Sequence, residues 1–124
     1  MTREMTLAID CGGGGIKGSV VDERGTMMAP PRRVPTPYPL PPELLVETVV
    51  GLARELPAAT RVTMGMPGMI RHGVVIATPH YITRDGPRSR DLPELVERWD
   101  HFDMGRAIEA ALGLPTKVLN DAEV

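Results

Sequence analysis

The stretch Asp10–Gly25, DCGGGGIKGSVVDERG, sets four consecutive glycines between an apolar run and an alternating one. Upstream, Met5–Ile9 is a short apolar segment closed by Asp10, which suits a buried strand better than a helix. Downstream, Ile16, Gly18 and Val20 alternate with Lys17, Ser19 and Val21, a period of two that runs into the turn residues Asp22–Gly25. Strand, glycine turn and returning strand make a hairpin, and Cys11, the one cysteine, reads as a small buried residue at the end of its first strand. A lone cysteine excludes an internal disulfide and leaves no cysteine cluster for structural zinc.

A glycine turn of this kind is a place where something approaches the backbone closely. A dinucleotide fingerprint could be drawn through Gly13, Gly15 and Gly18, but that motif needs a helix to begin inside it, and here a strand follows. A Walker A loop needs glycine, lysine and serine or threonine in succession, whereas Lys17 lies between Ile16 and Gly18. Two readings remain. In one, the amides of Gly12, Gly13, Gly14 and Gly15 meet phosphate oxygens, with Lys17 beside them and Asp10 holding hydrated magnesium. In the other, the segment is an ordinary glycine hairpin with a solvated Asp10.

The rest of the chain supplies context. TMMAPPRRV, Thr26–Val34, reads as a third strand, and prolines 30, 31, 35, 37, 39, 41 and 42 impose an extended, donor-poor segment. That segment is an arm between elements or, alternatively, a PxxP-type ligand. Leu44, Leu45, Val49, Leu52 and Leu56 recur at helical spacing between Pro42 and Pro57, predicting an amphipathic helix. RVTMGMPG, Arg61–Gly68, and GVVIATP, Gly73–Pro79, read as strands, and Thr83–Pro93 as a polar loop. A helix or helix pair is expected from Pro93 to Leu112, with Trp99, Phe102, Ile108 and Leu112 on its buried side, and a last strand in TKVLNDAEV, Thr116–Val124. Asn120 beside Asp121 at a strand end is either a turn or cap, or an amide and an acid that hold adjacent hydroxyls and take a proton from one.

The 124 residues are 42% hydrophobic and 24% charged, which fits one soluble domain. A formal net charge of -2 gives no reason to expect nucleic acid or an anionic membrane as partner. The apolar runs are too short to span a bilayer and the start MTREMTLAID lacks a signal peptide's apolar region, so a cytoplasmic protein is expected.

Taken in order, AIDCGGGGIKGSVVD, RVPTPYPLPPE, GMPGMIRHGVV, PHY and LPTKVLNDAEV resemble the N-terminal half of ROK-type sugar kinases, most of all the polyphosphate glucokinases. The resemblance covers nearly the whole chain. It implies the α/β ribonuclease H-like lobe of the actin, Hsp70 and hexokinase superfamily: a mixed sheet with the N-terminal hairpin, and helices on its faces. It implies phosphoryl transfer from polyphosphate or ATP to the 6-hydroxyl of glucose, with Asp121 as catalytic base and Asn120 as its sugar-binding neighbour. Gly12–Gly15 match the first phosphate motif, Asp10 lies next to the magnesium, and Gly68 and His80 correspond to positions on the sugar side. His80 also reads as a plain loop residue. Gly14 departs from the pattern, since the family usually has threonine there and so one hydroxyl contact to phosphate is missing.

The family's second phosphate motif, further sugar ligands, zinc-binding cysteines and nucleotide-side lobe follow the NDA stretch. Residues 1–124 are therefore expected to be the N-terminal lobe of a two-lobed enzyme whose C-terminal lobe is absent from this chain. Such a lobe is expected to be inactive alone and to self-associate as a dimer through its uncovered face. Two other readings compete: a sugar-binding regulator, disfavoured because the hairpin begins within a few residues of Met1 where a DNA-binding element would precede it, and a noncatalytic fragment of the same fold. A polyphosphate track would need cations, for which Lys17, Arg71, Arg84, Arg88 and Arg90 are the candidates.

Overall fold

The structure, a computed structural model, describes residues 3–123. The apolar run extends to Cys11 as strand β1, Met5–Cys11, and after the glycine turn β2, Gly15–Asp22, returns antiparallel to it, pairing Asp10 with Lys17 and Leu7 with Val20. The Asp22 carboxylate closes the next turn by accepting from the amides of Arg24 and Thr26, which hold it below the usual carboxylate range.

The third strand is shorter than its apolar pattern predicts. Met27 makes only an isolated bridge to Val21, and β3 is confined to Arg32–Pro35, because Pro30 and Pro31 carry no N–H for a ladder. The proline arm then leads to helix α1, Pro42–Arg54, whose Leu45, Val49 and Leu52 are buried. Strand β4, Arg61–Met66, lies parallel to β1 and passes into the Pro67–Gly68 loop. A hairpin of β5, Met69–Arg71, and β6, Val74–Ala77, follows; β5 is too short for its periodicity to be read from sequence.

The expected helix pair is divided. Helix α2, Pro93–Trp99, and helix α3, Met104–Leu112, are separated by β7, Phe102–Asp103, which pairs with β6. His101 and Gly113, both at positive φ, stand at the two breaks, and the Asp103 side chain caps α3 by accepting from the Arg106 amide. The last strand, β8, Thr116–Asn120, is parallel to β4 and stops before Asp121, where a single 3-10 turn, Asp121–Glu123, begins. It stops there because the Asn120 carboxamide oxygen accepts from the Ala122 amide. Val124, which the expected strand included, and Met1, which bears on the regulator reading, lie outside the described residues.

The large sheet has the order β3-β2-β1-β4-β8 and the small one β5-β6-β7. One face of the large sheet, with Leu7, Ile9, Val20, Val62, Met64 and Val118, is buried beneath helices. Gly18 lets α1 come close there, since a Cβ would sit 3.2 Å from Leu56 Cδ1 and 3.6 Å from Leu52 Cβ. Helices α1 and α3 pack on the large sheet, α1 against β2 and α3 against β8, and touch each other, while α2 touches β6 of the small sheet. Thr6, Ala8, Asp10, Lys17, Ser19 and Thr63 alternate onto the opposite face. Among the described residues, no helix is long and apolar enough to cross a membrane.

Cys11 is fully buried at the end of β1, as its position predicts, and burial pushes its thiol well above the ordinary value of 9.0. Tyr81, also fully buried, is pushed up from 10.0 by the same cause. A raised folded-state value stabilises the fold below the unfolded value and loses that contribution as pH rises past it. Thermal stability is therefore expected to fall above about pH 9, by up to about 1.4 kcal/mol per pH unit for each group. In a Cys11→Ala variant the onset should move toward pH 10, as differential scanning calorimetry between pH 7 and 10.5 would reveal.

Candidate functional site

Three parallel strands bring the predicted residues to one end of the sheet, the carboxyl end where open α/β sheets bind ligands. Asp10 and the glycine turn follow from β1, Pro67 and Gly68 from β4, and Asn120 and Asp121 from β8. Asp10, Lys17 and Asp121 line a single cleft of about 330 Å³, floored by Ala8, Ser19, Thr63 and Gly65. Two carboxylates and one ammonium, all exposed, thus surround a space of ligand size.

The glycine turn sits beside this cleft. Its Gly12 amide donates to the Gly15 carbonyl at 2.9 Å, while the Gly13 and Gly14 amides have no acceptor among the described residues. Around Gly14 a Cβ would meet nothing within 4 Å, so the turn is open on that side. On Gly13 it is closed, since a Cβ would come within 2.9 Å of Pro87 in the polar loop that carries Arg84, Arg88 and Arg90.

Sequence reasoning missed one cation. The Arg33 guanidinium lies over Gly15, where any Cβ would be 2.5 Å from its Nη2, and β3 pairs Arg33 with Lys17. Asp10, Lys17 and Arg33 therefore form a row across three strands. Only the register of β3 reveals this, and no spacing in the sequence carries it. Arg71 lies on β5, exposed, away from that row.

On the neighbouring side, Gly68 and Asn120 line a second depression of about 460 Å³ with Met69, Ile70, Ala77 and Pro79. Gly68 has φ +117°, and a Cβ there would run into the Ala77 carbonyl. The Asn120 amide donates to the Gly68 carbonyl, fixing the Pro67–Gly68 loop to the end of β8. The Thr78 hydroxyl holds the same loop by donating to the Pro67 carbonyl at 2.9 Å. His80 is exposed on the turn after Pro79, and its carbonyl accepts from Thr83.

The residues suit magnesium as donors of hard oxygen. Among the described residues no three His, Cys, Asp or Glu side chains gather to form a closed metal cage. Two carboxylates, Asp10 and Asp121, share the cleft, which is the sparse protein ligation that a hydrated magnesium ion accepts when phosphate oxygens complete its shell.

The model of the ROK family matches residues 6–124. The chain belongs to the ROK family. Among its relatives, an N-acetylmannosamine kinase of Salmonella typhimurium is 32% identical over 120 residues, which are 95% of this chain and 36% of that protein. An inorganic polyphosphate/ATP-glucomannokinase of Arthrobacter sp. strain KM is similar in structure with a TM-score of 0.73 and 34% identity, over 96% of this chain and 45% of that one. A ROK family glucokinase of Streptomyces griseus, solved in complex with glucose and AMPPNP, gives 0.72 and 25%, over 95% and 33%. The fold is thus that of the ROK sugar kinases, of the actin, Hsp70 and hexokinase type. The ROK chain described here spans about a third of the length of the curated relatives it matches.

Proposed function

We propose that this ROK chain is the N-terminal lobe of a sugar kinase that moves a phosphoryl group from polyphosphate, ATP or both to the 6-hydroxyl of glucose. The observation that carries the reading is the single cleft lined by Asp10, Lys17 and Asp121 at the mouth of the glycine turn. Beside it the Gly12–Gly15 turn, with Lys17, binds the donor phosphates, and Asn120 and Gly68, which line the neighbouring depression, face the sugar together with His80.

Asp121 orients the attacking hydroxyl and takes its proton as the new P–O bond forms and the bond to the donor's bridging oxygen breaks. Asp10 is the residue that would hold magnesium, which when bound neutralises charge on the donor phosphates. Lys17 supplies fixed positive charge to the same oxygens, and the unpaired Gly13 and Gly14 amides supply hydrogen bonds that need no reorganisation. Transfer needs groups on both sides of the phosphoryl, so a second lobe completes the cleft. The isolated chain is expected to be a dimer by its mass in solution.

Similarity to the polyphosphate/ATP-glucomannokinase supports polyphosphate as donor. A polyanion longer than a triphosphate runs beyond the turn, and the cations beside it are Lys17, Arg33 and the loop arginines Arg84, Arg88 and Arg90. In the two-lobed enzyme, replacing Arg33 and the loop arginines Arg84, Arg88 and Arg90 with glutamine should raise the polyphosphate KM roughly tenfold and flatten its salt dependence, with the glucose KM unchanged. Equal losses with ATP and polyphosphate would defeat the polyphosphate assignment. Phosphorylation of N-acetylmannosamine in preference to glucose would redirect the sugar assignment, and sugar binding without transfer would favour a regulator.

A further inference from the structure

The chain has four aromatic residues, two tyrosines, one tryptophan and one phenylalanine. All four stand in one ladder behind the glycine turn: Tyr38 to Tyr81 at 6.3 Å, Tyr81 to Trp99 at 5.8 Å and Trp99 to Phe102 at 6.1 Å between ring centroids. Trp99 is fixed in turn by its indole N–H, which donates to the Leu40 carbonyl at 2.8 Å. The ladder ends in hydroxyls aimed at the turn. Tyr81 donates to the Gly12 carbonyl at 2.8 Å, Thr36 donates to the same oxygen at 3.0 Å, and Tyr38 donates to the Gly13 carbonyl at 2.7 Å.

Three hydroxyls on two adjacent carbonyls decide which way the peptide planes face. A glycine peptide rotates cheaply, and a carbonyl turned outward would present partial negative charge to an incoming anion. Holding the carbonyls inward leaves the Gly13 and Gly14 amides for the ligand. Tyr81 is fully buried, so its hydroxyl is costly to place there without a partner, and phenylalanine would fill the same volume without that cost. The pattern is therefore more specific than core packing requires.

The segment that carries Tyr81 also holds the other ligand loop. Thr78, three residues earlier, donates to the Pro67 carbonyl, so one short turn grips the Pro67–Gly68 loop with one hydroxyl and the glycine turn with another. We propose that Tyr81, assisted by Tyr38 and Thr36, is a positioning residue that sets the glycine turn in its anion-binding orientation, and that the Thr78–Tyr81 turn fixes the spacing between the donor and sugar loops. The proposal rests on the reading of the glycine turn as the donor site.

The test uses the chain as it stands, isotopically labelled, titrated with inorganic tripolyphosphate and followed at the Gly13 and Gly14 amides by NMR. Tyr81→Phe should weaken tripolyphosphate binding about fivefold, and Tyr38→Phe with Tyr81→Phe by more than either alone. A Leu95→Ala variant, which opens the core under α2, should lower the melting temperature by more than Tyr81→Phe does and leave the affinity unchanged. Wild-type affinity in the folded Tyr81→Phe and Tyr38→Phe variants would overturn the positioning role alone. If tripolyphosphate does not move the Gly13 and Gly14 amides of the unmodified chain, the donor-site reading falls and the positioning role falls with it.

Discussion

Asp121→Asn in the two-lobed enzyme is expected to lower kcat by about two to four orders of magnitude while the sugar KM stays within a few-fold. The carboxylate stands at the first position of the 3-10 turn after β8, exposed to the cleft it shares with Asp10 and Lys17. Asparagine keeps the size and can still accept a hydrogen bond from a hydroxyl, so binding survives. It cannot take a proton, so the step in which the hydroxyl oxygen becomes a nucleophile loses its acceptor. Steady-state kinetics with saturating donor separates the two effects, and near-normal kcat in the variant would remove Asp121 from the mechanism.

Gly68→Ala should be the most damaging of the glycine substitutions, costing about 3 kcal/mol or more. Its φ of +117° is a conformation that residues with a side chain rarely adopt, and the added methyl would collide with the Ala77 carbonyl across the β5–β6 hairpin. The hairpin would have to shift, and with it Thr78 and Asn120, both of which bond to the Pro67–Gly68 loop. Against a typical total stability of about 5–15 kcal/mol, that is a large share. Gly14→Ala is the matched comparison, because nothing lies within 4 Å of its Cβ position and its φ is not positive. Urea unfolding should separate them clearly; equal midpoints would mean the loop is not fixed as described.

Residues that act through local chemistry were legible in the sequence. The period of two after the glycines, the turn at Asp22–Gly25 and the helical spacing of Leu45, Val49 and Leu52 each predict an element that forms. Failures began where a third partner decides. Phe102 and Asp103 carry no strand pattern of their own, and they extend only because β6 offers an edge to pair with. Proline ended β3 early, a local rule that the apolar residues of TMMAPPRRV masked. In the candidate site, Asp10, Gly68 and Asp121 could be named from the sequence because each lies at or just past the carboxyl end of a strand, where open α/β sheets gather ligands. Arg33 could not, since its place over Gly15 depends on the β2–β3 register. Nor could the hydroxyls behind the turn, which reach it from 24, 25 and 69 residues away in sequence.

The central claim, that these residues are the donor-binding and proton-accepting lobe of a sugar kinase, is tested most directly by completing the cleft. The chain would be fused to the part of the Arthrobacter polyphosphate/ATP-glucomannokinase that lies beyond its region of similarity, and glucose 6-phosphate formation followed with polyphosphate and with ATP. The fusion should transfer phosphate with at least one donor, the Asp121→Asn fusion should lose that transfer, and the unfused chain should give none. A folded, glucose-binding fusion that transfers nothing, or robust transfer by the unfused chain, would contradict the claim.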